Sequence, residues 1–172
     1  MGKLEGHNRV TATCLPLILG RDARVLILGS FPSTASLAAQ QYYAHPQNQF
    51  WRILGAVIWQ PLKEMDYPDR IAAVQAAGIA IWDVFASCER AGSLDSAIHE
   101  AVPNPLARLQ ESAPALRRIG FNGRMAAKRI REVEAMGFEA LVLPSTSPAH
   151  AGMSFDDKLA RWRAALHAEA EQ

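Results

Sequence analysis

Apolar and polar positions along this chain follow two rhythms. Residues 24–30 form a short run rich in leucine and β-branched side chains that breaks at Gly29-Ser30-Phe31-Pro32, which suits a buried parallel strand. From Phe50 the period changes to that of a helix: Phe50, Ile53, Leu54, Val57 and Ile58 share one stripe, and Pro61 predicts its end. Between the two, Ser33 or Thr34 predicts the cap of a short helix through Gln41. Asp69 predicts the cap of another helix, with Ile71, Val74 and Ala77 inside and Gly78 as its stop. Residues 78–85 predict a second strand that delivers Asp83 near its carboxyl end. Residues 116–121 and 138–143 predict a third and a fourth. The helix between these two turns Ala126, Ile130 and Val133 inward and Arg124, Lys128, Arg129 and Arg131 outward, as a solvated face. After Ser154, with Asp157 three residues on, a last helix buries Phe155, Leu159, Trp162 and Leu166. Residues 15–19 read as an edge strand or a lead-in, and residues 86–105 as a long loop holding a turn of helix.

Strands alternating with helices at this spacing imply an α/β fold with a mostly parallel, four-stranded central sheet and helices on both faces. All four strands then end on one edge. That edge gathers residues 30–48, 83–96, 122–123 and 145–150, in the place where such sheets usually hold ligands. At 172 residues and 49% hydrophobic, the chain is expected to form a single domain over residues 1–172. No apolar run approaches the ~20 residues that cross a bilayer, and no signal-peptide pattern opens the chain, so a cytoplasmic protein is expected. Cys14 and Cys88 are expected to be free thiols. Net charge is +1, from 18 basic and 17 acidic residues, so a nucleic-acid surface would have to be a local patch.

Phosphate-binding glycine motifs and a G-x-S-x-G elbow are missing. His45 and His150 have no carboxylate at a ligating spacing and make a weak metal site. No Asp or Glu lies between Asp22 and Glu64, so the first strand-end loop works with amide, hydroxyl and aromatic groups. Such a set suits a pocket that stacks a flat ring on Phe31, Tyr42 or Tyr43 and hydrogen-bonds its edge through Asn48, as in recognition of a flipped base.

Three blocks then carry a resemblance: Gly29-Ser30-Phe31-Pro32-Ser33; Tyr42-Tyr43-Ala44-His45-Pro46-Gln47-Asn48-Gln49-Phe50-Trp51; and Leu143-Pro144-Ser145-Thr146-Ser147-Pro148-Ala149-His150. Together with Ala80-Ile81-Trp82-Asp83-Val84, Gly92-Ser93-Leu94-Asp95 and Phe121-Asn122-Gly123, they resemble the uracil-DNA glycosylase superfamily and within it the hypoxanthine-DNA glycosylase branch. The resemblance implies a three-layer α/β/α fold. It implies hydrolysis of the bond between a deaminated base and deoxyribose in base excision repair, with no metal and no cofactor.

Two positions depart from the wider superfamily. Phe31 stands where many relatives carry Asp or Asn, and Leu143 where the second motif often opens with His or Asn. Asn48 is left as the catalytic residue, positioning water or gripping the base. Ser30, Phe31, Tyr43 and Asp83 would surround the base, and Ser33, Ser145, Ser147, Pro148 and His150 would meet DNA, with residues 147–150 pressed into the minor groove. The partner implied is DNA with a flipped lesion nucleotide, bound by a monomer away from any membrane. Read from its neighbours alone, Asn48 also fits the N-cap of the helix after it, and Asp83 the cap of a turn. Two other classes stay open: a catalytically inactive module that binds damaged bases, and a hydrolase of free nucleosides. The preferred base is open among hypoxanthine, favoured by the branch, uracil and xanthine.

Overall fold

The computed structural model describes residues 11–167. In order, they form β1 (Thr11–Thr13), β2 (Val25–Gly29), α1 (Thr34–Ala39), α2 (Phe50–Ile58), α3 (Tyr67–Ala76) and β3 (Ile79–Asp83). There follow β4 (Phe85–Glu89), β5 (His99–Pro103), α4 (Leu109–Ser112), β6 (Arg118–Asn122), α5 (Ile130–Ala135), β7 (Glu139–Leu143) and α6 (Phe155–His167). The four strands read from the sequence assemble into one parallel sheet in the order β3-β2-β6-β7.

Alternation along β2 builds the layers. Val25 and Ile27 point to one face, where Ile79, Ile81 and Leu143 meet Phe50, Trp51, Ile53 and Leu54 of α2, Val74 of α3 and Trp162 of α6. Leu26 and Leu28 point to the other, where Ala80, Trp82, Ile119 and Phe121 meet Leu106, Leu109 and Val133. Burying each of these side chains contributes on the order of 1.5–3 kcal/mol. The result is the expected three-layer α/β/α arrangement. Register keeps the strand ends level, for Gly29 pairs with Asp83, Leu28 with both Trp82 and Phe121, and Asn122 with Leu143.

Several local expectations are corrected. Asp69 does not cap α3. The helix starts at Tyr67 with Asp66 in the cap position and Pro68 in its first turn, where a missing N–H costs nothing, and Asp69 adds negative charge to that turn. Residues 86–105 are not mainly loop: β4 and β5 form an antiparallel pair, and with β1 they make a second sheet in the order β1-β4-β5. Both register shifts in that pair, and a β5 exposed at every position, remove the alternation that would have announced strands. Residues 15–19 act as a lead-in, with one antiparallel bridge from Ile18 to Ile81.

Arg129 is not on a solvated face. Its guanidinium turns inward and donates to the carbonyls of Val84 at 3.0 Å and Asn104 at 2.9 Å, while pairing with Glu132 at 2.6 Å. In α6, Ser154 caps as expected, its Oγ accepting the Asp157 N–H at 3.1 Å. Trp162 is fully buried, Phe155, Leu159 and Leu166 are half-buried, and the surprise is Lys158, buried among them.

Candidate active site

The level strand ends frame a cavity of about 620 Å³, within the range of ligand-holding clefts. Its wall is built by the segments the sequence assigned to that edge: the turn after β2, the loop before α2, the ends of β3 and β6, and residues 144–150. Of the candidate residues, Ser30, Phe31, Ser33, Tyr43, Asn48, Asp83, Ser145, Ser147 and His150 all line it. Pro148 is exposed and stands outside the wall, as does His45, whose Nδ1 accepts the Gln47 N–H at 3.1 Å.

Gly29 makes the closed end possible. A Cβ there would lie 2.6 Å from Asp83 Oδ1 and 2.9 Å from Tyr43 Oη, closer than real Cβ atoms come to such atoms. The two oxygens thus converge on the spot that glycine leaves open. Among the described residues, Asp83 Oδ2 is buried with no hydrogen-bond partner, and Tyr43 Oη is buried with no well-formed one, only the Asn122 amide standing close enough to act on it. Buried polar atoms are costly in that state, which marks them as waiting for a ligand. Burial pushes the Asp83 carboxyl up to about 7; the neighbouring Asp95 carboxylate raises it further and Arg90 pulls it back. Burial, with Asp83 adding to it and the Asn122 amide opposing it, also holds the Tyr43 phenol far above its ordinary range, so this hydroxyl keeps its proton at neutral pH.

Tyr43 reaches this place through a backbone in the left-handed region, at φ 53°, which costs a bulky side chain on the order of 1–3 kcal/mol. Its neighbours hold the turn on both sides. The Tyr42 N–H donates to Tyr67 Oη at 3.0 Å, the Ala44 N–H to Ser36 Oγ at 3.1 Å, and the Trp51 indole to the Tyr42 carbonyl at 2.9 Å. The Tyr43 ring is also stacked on Phe50, with centroids 3.8 Å apart.

Asn48 stands one residue before the cap position of α2, which Gln49 occupies, so the expectation that Asn48 is itself the N-cap is corrected, although its side chain still meets the start of the helix. Its Oδ1 accepts the Phe50 N–H at 2.9 Å at the start of α2. That bond fixes the amide's orientation and leaves Nδ2, on the cavity wall, without a protein acceptor. Phe31 is only 7% exposed and has the Arg90 guanidinium over its ring at 5.2 Å, so it closes the wall more than it offers a free face. Ser33 spends its hydroxyl on α1, accepting the Ser36 N–H at 3.1 Å.

The loop after β7 is tied down at Thr146. Its N–H donates to Asn122 Oδ1 and its Oγ1 accepts from Asn122 Nδ2, both at 3.0 Å, while its carbonyl accepts the Gln49 N–H at 3.0 Å. Ser145 and Ser147 each use their Oγ to accept a backbone N–H two residues on, leaving the hydroxyl hydrogens available.

Residues that the sequence reading did not assign also stand here. Asp95 Oδ1 accepts the Ser30 hydroxyl at 2.7 Å, and the exposed Arg124 and Arg161 border the cavity. Asp95 and Asn122 already lay inside the matched blocks, whereas nothing in the pattern of α6 marked Arg161. Among the described residues, no group of three His, Cys, Asp or Glu is placed to hold a metal, and no helix is long and apolar enough to cross a membrane.

Known proteins resemble this chain in sequence and in fold. The profile of the uracil DNA glycosylase superfamily matches residues 18–168. A curated protein of Methanosarcina acetivorans named hypoxanthine DNA glycosylase is 40% identical over 149 residues, covering 87% of this chain and 94% of its own. Its namesake from Methanosarcina barkeri is 36% identical over 135 residues, covering 78% and 85%. The solution NMR structure of a Methanosarcina acetivorans protein, provisionally assigned as a uracil DNA glycosylase, superposes with a TM-score of 0.85 at 37% identity, covering 92% of this chain and 98% of that one.

Proposed function

The chain belongs to the uracil DNA glycosylase superfamily, and from that membership we propose that it is a monofunctional DNA glycosylase that removes hypoxanthine from DNA in base excision repair. The observation that carries the site assignment is the cavity's closed end, where Asp83 Oδ1 and Tyr43 Oη converge on the space that Gly29 leaves open and the Asn48 amide stands on the same cavity wall. A flipped base would complete them.

Deaminated bases share a lactam edge, an N–H beside a C=O. Asp83 as carboxylate accepts the N–H and the Tyr43 hydroxyl donates to the C=O, whereas adenine turns a ring-nitrogen lone pair toward the carboxylate. A buried acceptor facing a lone pair is the kind of mismatch that discriminates strongly. Uracil and xanthine carry the same edge and are the secondary substrates this chemistry allows.

Bond breaking moves the glycosidic electron pair onto the departing base and leaves oxocarbenium character on the sugar, to which water then adds at C1′. Asn48 Nδ2 and the Tyr43 hydroxyl are donors aimed at the charge that develops on the base. Ser145 and Ser147 hold the phosphates flanking the flipped nucleotide, and residues 147–150, His150 included, enter the groove to keep the duplex open. Ser33 contributes through the turn that its cap stabilises. The enzyme acts as a monomer on a flipped nucleotide.

The first experiment incubates the protein with hypoxanthine-, uracil- and xanthine-containing oligonucleotides and cleaves abasic sites with alkali. Strand breaks at hypoxanthine are expected, with Asn48→Ala folded but slower by about 100-fold, the loss typical of one transition-state donor. Binding without breaks would mean a recognition module, and release from the free nucleoside alone would mean a nucleoside hydrolase.

A further inference from the structure

Lys158 is a buried charge with no task in the chemistry above. It is 2% exposed, on the inner side of α6, and has no carboxylate partner among the described residues. Its ammonium donates to two neutral oxygens, Gln49 Oε1 at 3.2 Å and the His150 carbonyl at 2.7 Å. Lysine is seldom buried without a charged partner, because stripping water from an ammonium is expensive. A leucine or methionine at this place would avoid that cost, so what the ammonium holds together is informative.

Those two oxygens belong to segments that build different walls of the cavity, although Gln49 itself does not line it. Gln49 is the residue after Asn48, at the entry to α2, and His150 lies at the far end of the loop that follows β7. One turn further along α6, the Trp162 indole donates to the Pro144 carbonyl at 2.9 Å. Helix α6 therefore grips residues 144–150 at both ends, and with Lys158 it also grips the neighbour of Asn48. The Gln49 N–H to Thr146 carbonyl bond runs between the same two walls.

We infer that Lys158 is a positioning residue that locks the groove-entering loop to the segment carrying Asn48, so that opening the duplex and seating the base against Asn48 are a single rigid event. This rests on the glycosylase reading above. It has a consequence that a purely structural lysine would not have. A single strand presents its lesion already unpaired and makes little use of a loop that holds a duplex open. Loss of the lock should therefore cost duplex repair far more than single-strand repair.

The test is single-turnover base release from one deoxyinosine oligonucleotide, presented as duplex and as single strand, by the full chain and by Lys158→Met, Gln49→Leu and the double variant. Lys158→Met is expected to lose about 100-fold on duplex, the scale of an ångström of misplacement, here of the loop that must hold the duplex open and not of the reacting centre itself. Its rate on single strand should stay near that of the parent protein. Fluorescence of 2-aminopurine beside the lesion, which reports base opening, should fall together with the duplex rate. The double variant should be little worse than Lys158→Met alone, since both changes remove the same tie. Equal losses on the two substrates, or no loss on duplex, overturn the inference. If Lys158→Met melts out, Gln49→Leu decides by the same duplex-to-single-strand ratio. A parent protein inactive on both substrates would instead sink the glycosylase reading, and the lock with it.

Discussion

Asp83 is a carboxyl group in a place that penalises its charge. Burial raises its folded pKa to about 7 from the model-peptide value of 3.8, so above that point the fold carries an ionised group with no hydrogen-bond partner on Oδ2. The sign follows from proton counts. Between the two values the folded state binds more protons than the unfolded one, so this group makes stability fall as pH rises from near 4 through 7. Asp83→Asn removes that penalty. It should raise the melting temperature at pH 8, by at most about 4 kcal/mol of stability on the conversion of pKa shifts to free energy, and the gain should vanish near pH 4. An equal gain at both pH values would show that ionisation is not its source. For base release, Asn keeps an acceptor for the lactam N–H, so Asp83→Asn should retain far more activity than Asp83→Ala. A general base that takes a proton from water would make the two variants equally poor. The position of Asp83 at a strand end was legible from the run before it, but its lack of a partner on Oδ2 was not, because the groups around it come from Gly29 and Tyr43, far away in the chain. Asn48 was ambiguous for a related reason: the oxygen that meets the start of α2 and the nitrogen proposed for the chemistry are opposite ends of one amide, and a sequence names the amide without its orientation.

At the scale of elements, the parallel sheet was legible because each of its strands is a buried apolar run ended by a turn signal. The smaller sheet was not. Its β4 and β5 are joined by backbone pairing with register shifts, and β5 presents no buried residue to set a rhythm. The segment that precedes α5 misled in another way, since Arg124, Lys128, Arg129 and Arg131 look alike in a list of charges. Only Arg129 crosses to the β3–β4 corner and satisfies the carbonyls of Val84 and Asn104, residues that close the second sheet against the first. Arg129→Ala leaves those two acceptors without this donor and should cost about 1–3 kcal/mol in urea unfolding. Arg131→Ala, on an exposed position, should stay within about 0.5 kcal/mol. Equal costs for the two would return Arg129 to the solvated face. Because the corner leads directly out of Asp83, loss of Arg129 should also loosen the closed end of the cavity, which a fall in deoxyinosine cleavage at temperatures below melting would report.

Over the whole molecule, a net charge of +1 says little about DNA, because what matters is where the charges sit. The cavity separates them by depth. Asp83 is buried at its closed end, and Arg124 and Arg161 stand exposed on its border, where phosphates would pass. A duplex brought to this surface exchanges condensed cations for those arginines, so affinity should fall steeply with salt. The measurement is fluorescence anisotropy with a duplex carrying 2′-fluoro-deoxyinosine, whose electron-poor sugar resists oxocarbenium formation and survives the titration. Each of Arg124→Ala and Arg161→Ala should reduce the slope of log affinity against log salt by about 1, weakening lesion and undamaged duplexes alike. Variants of Asp83 or Tyr43 should leave the slope unchanged while lowering the preference for the lesion, since the proposed site sets them against the base and not the backbone. A salt slope near zero in the parent protein would deny the phosphate contacts, and a slope altered by Asp83→Asn would place that carboxylate in the path of the backbone instead of against the base.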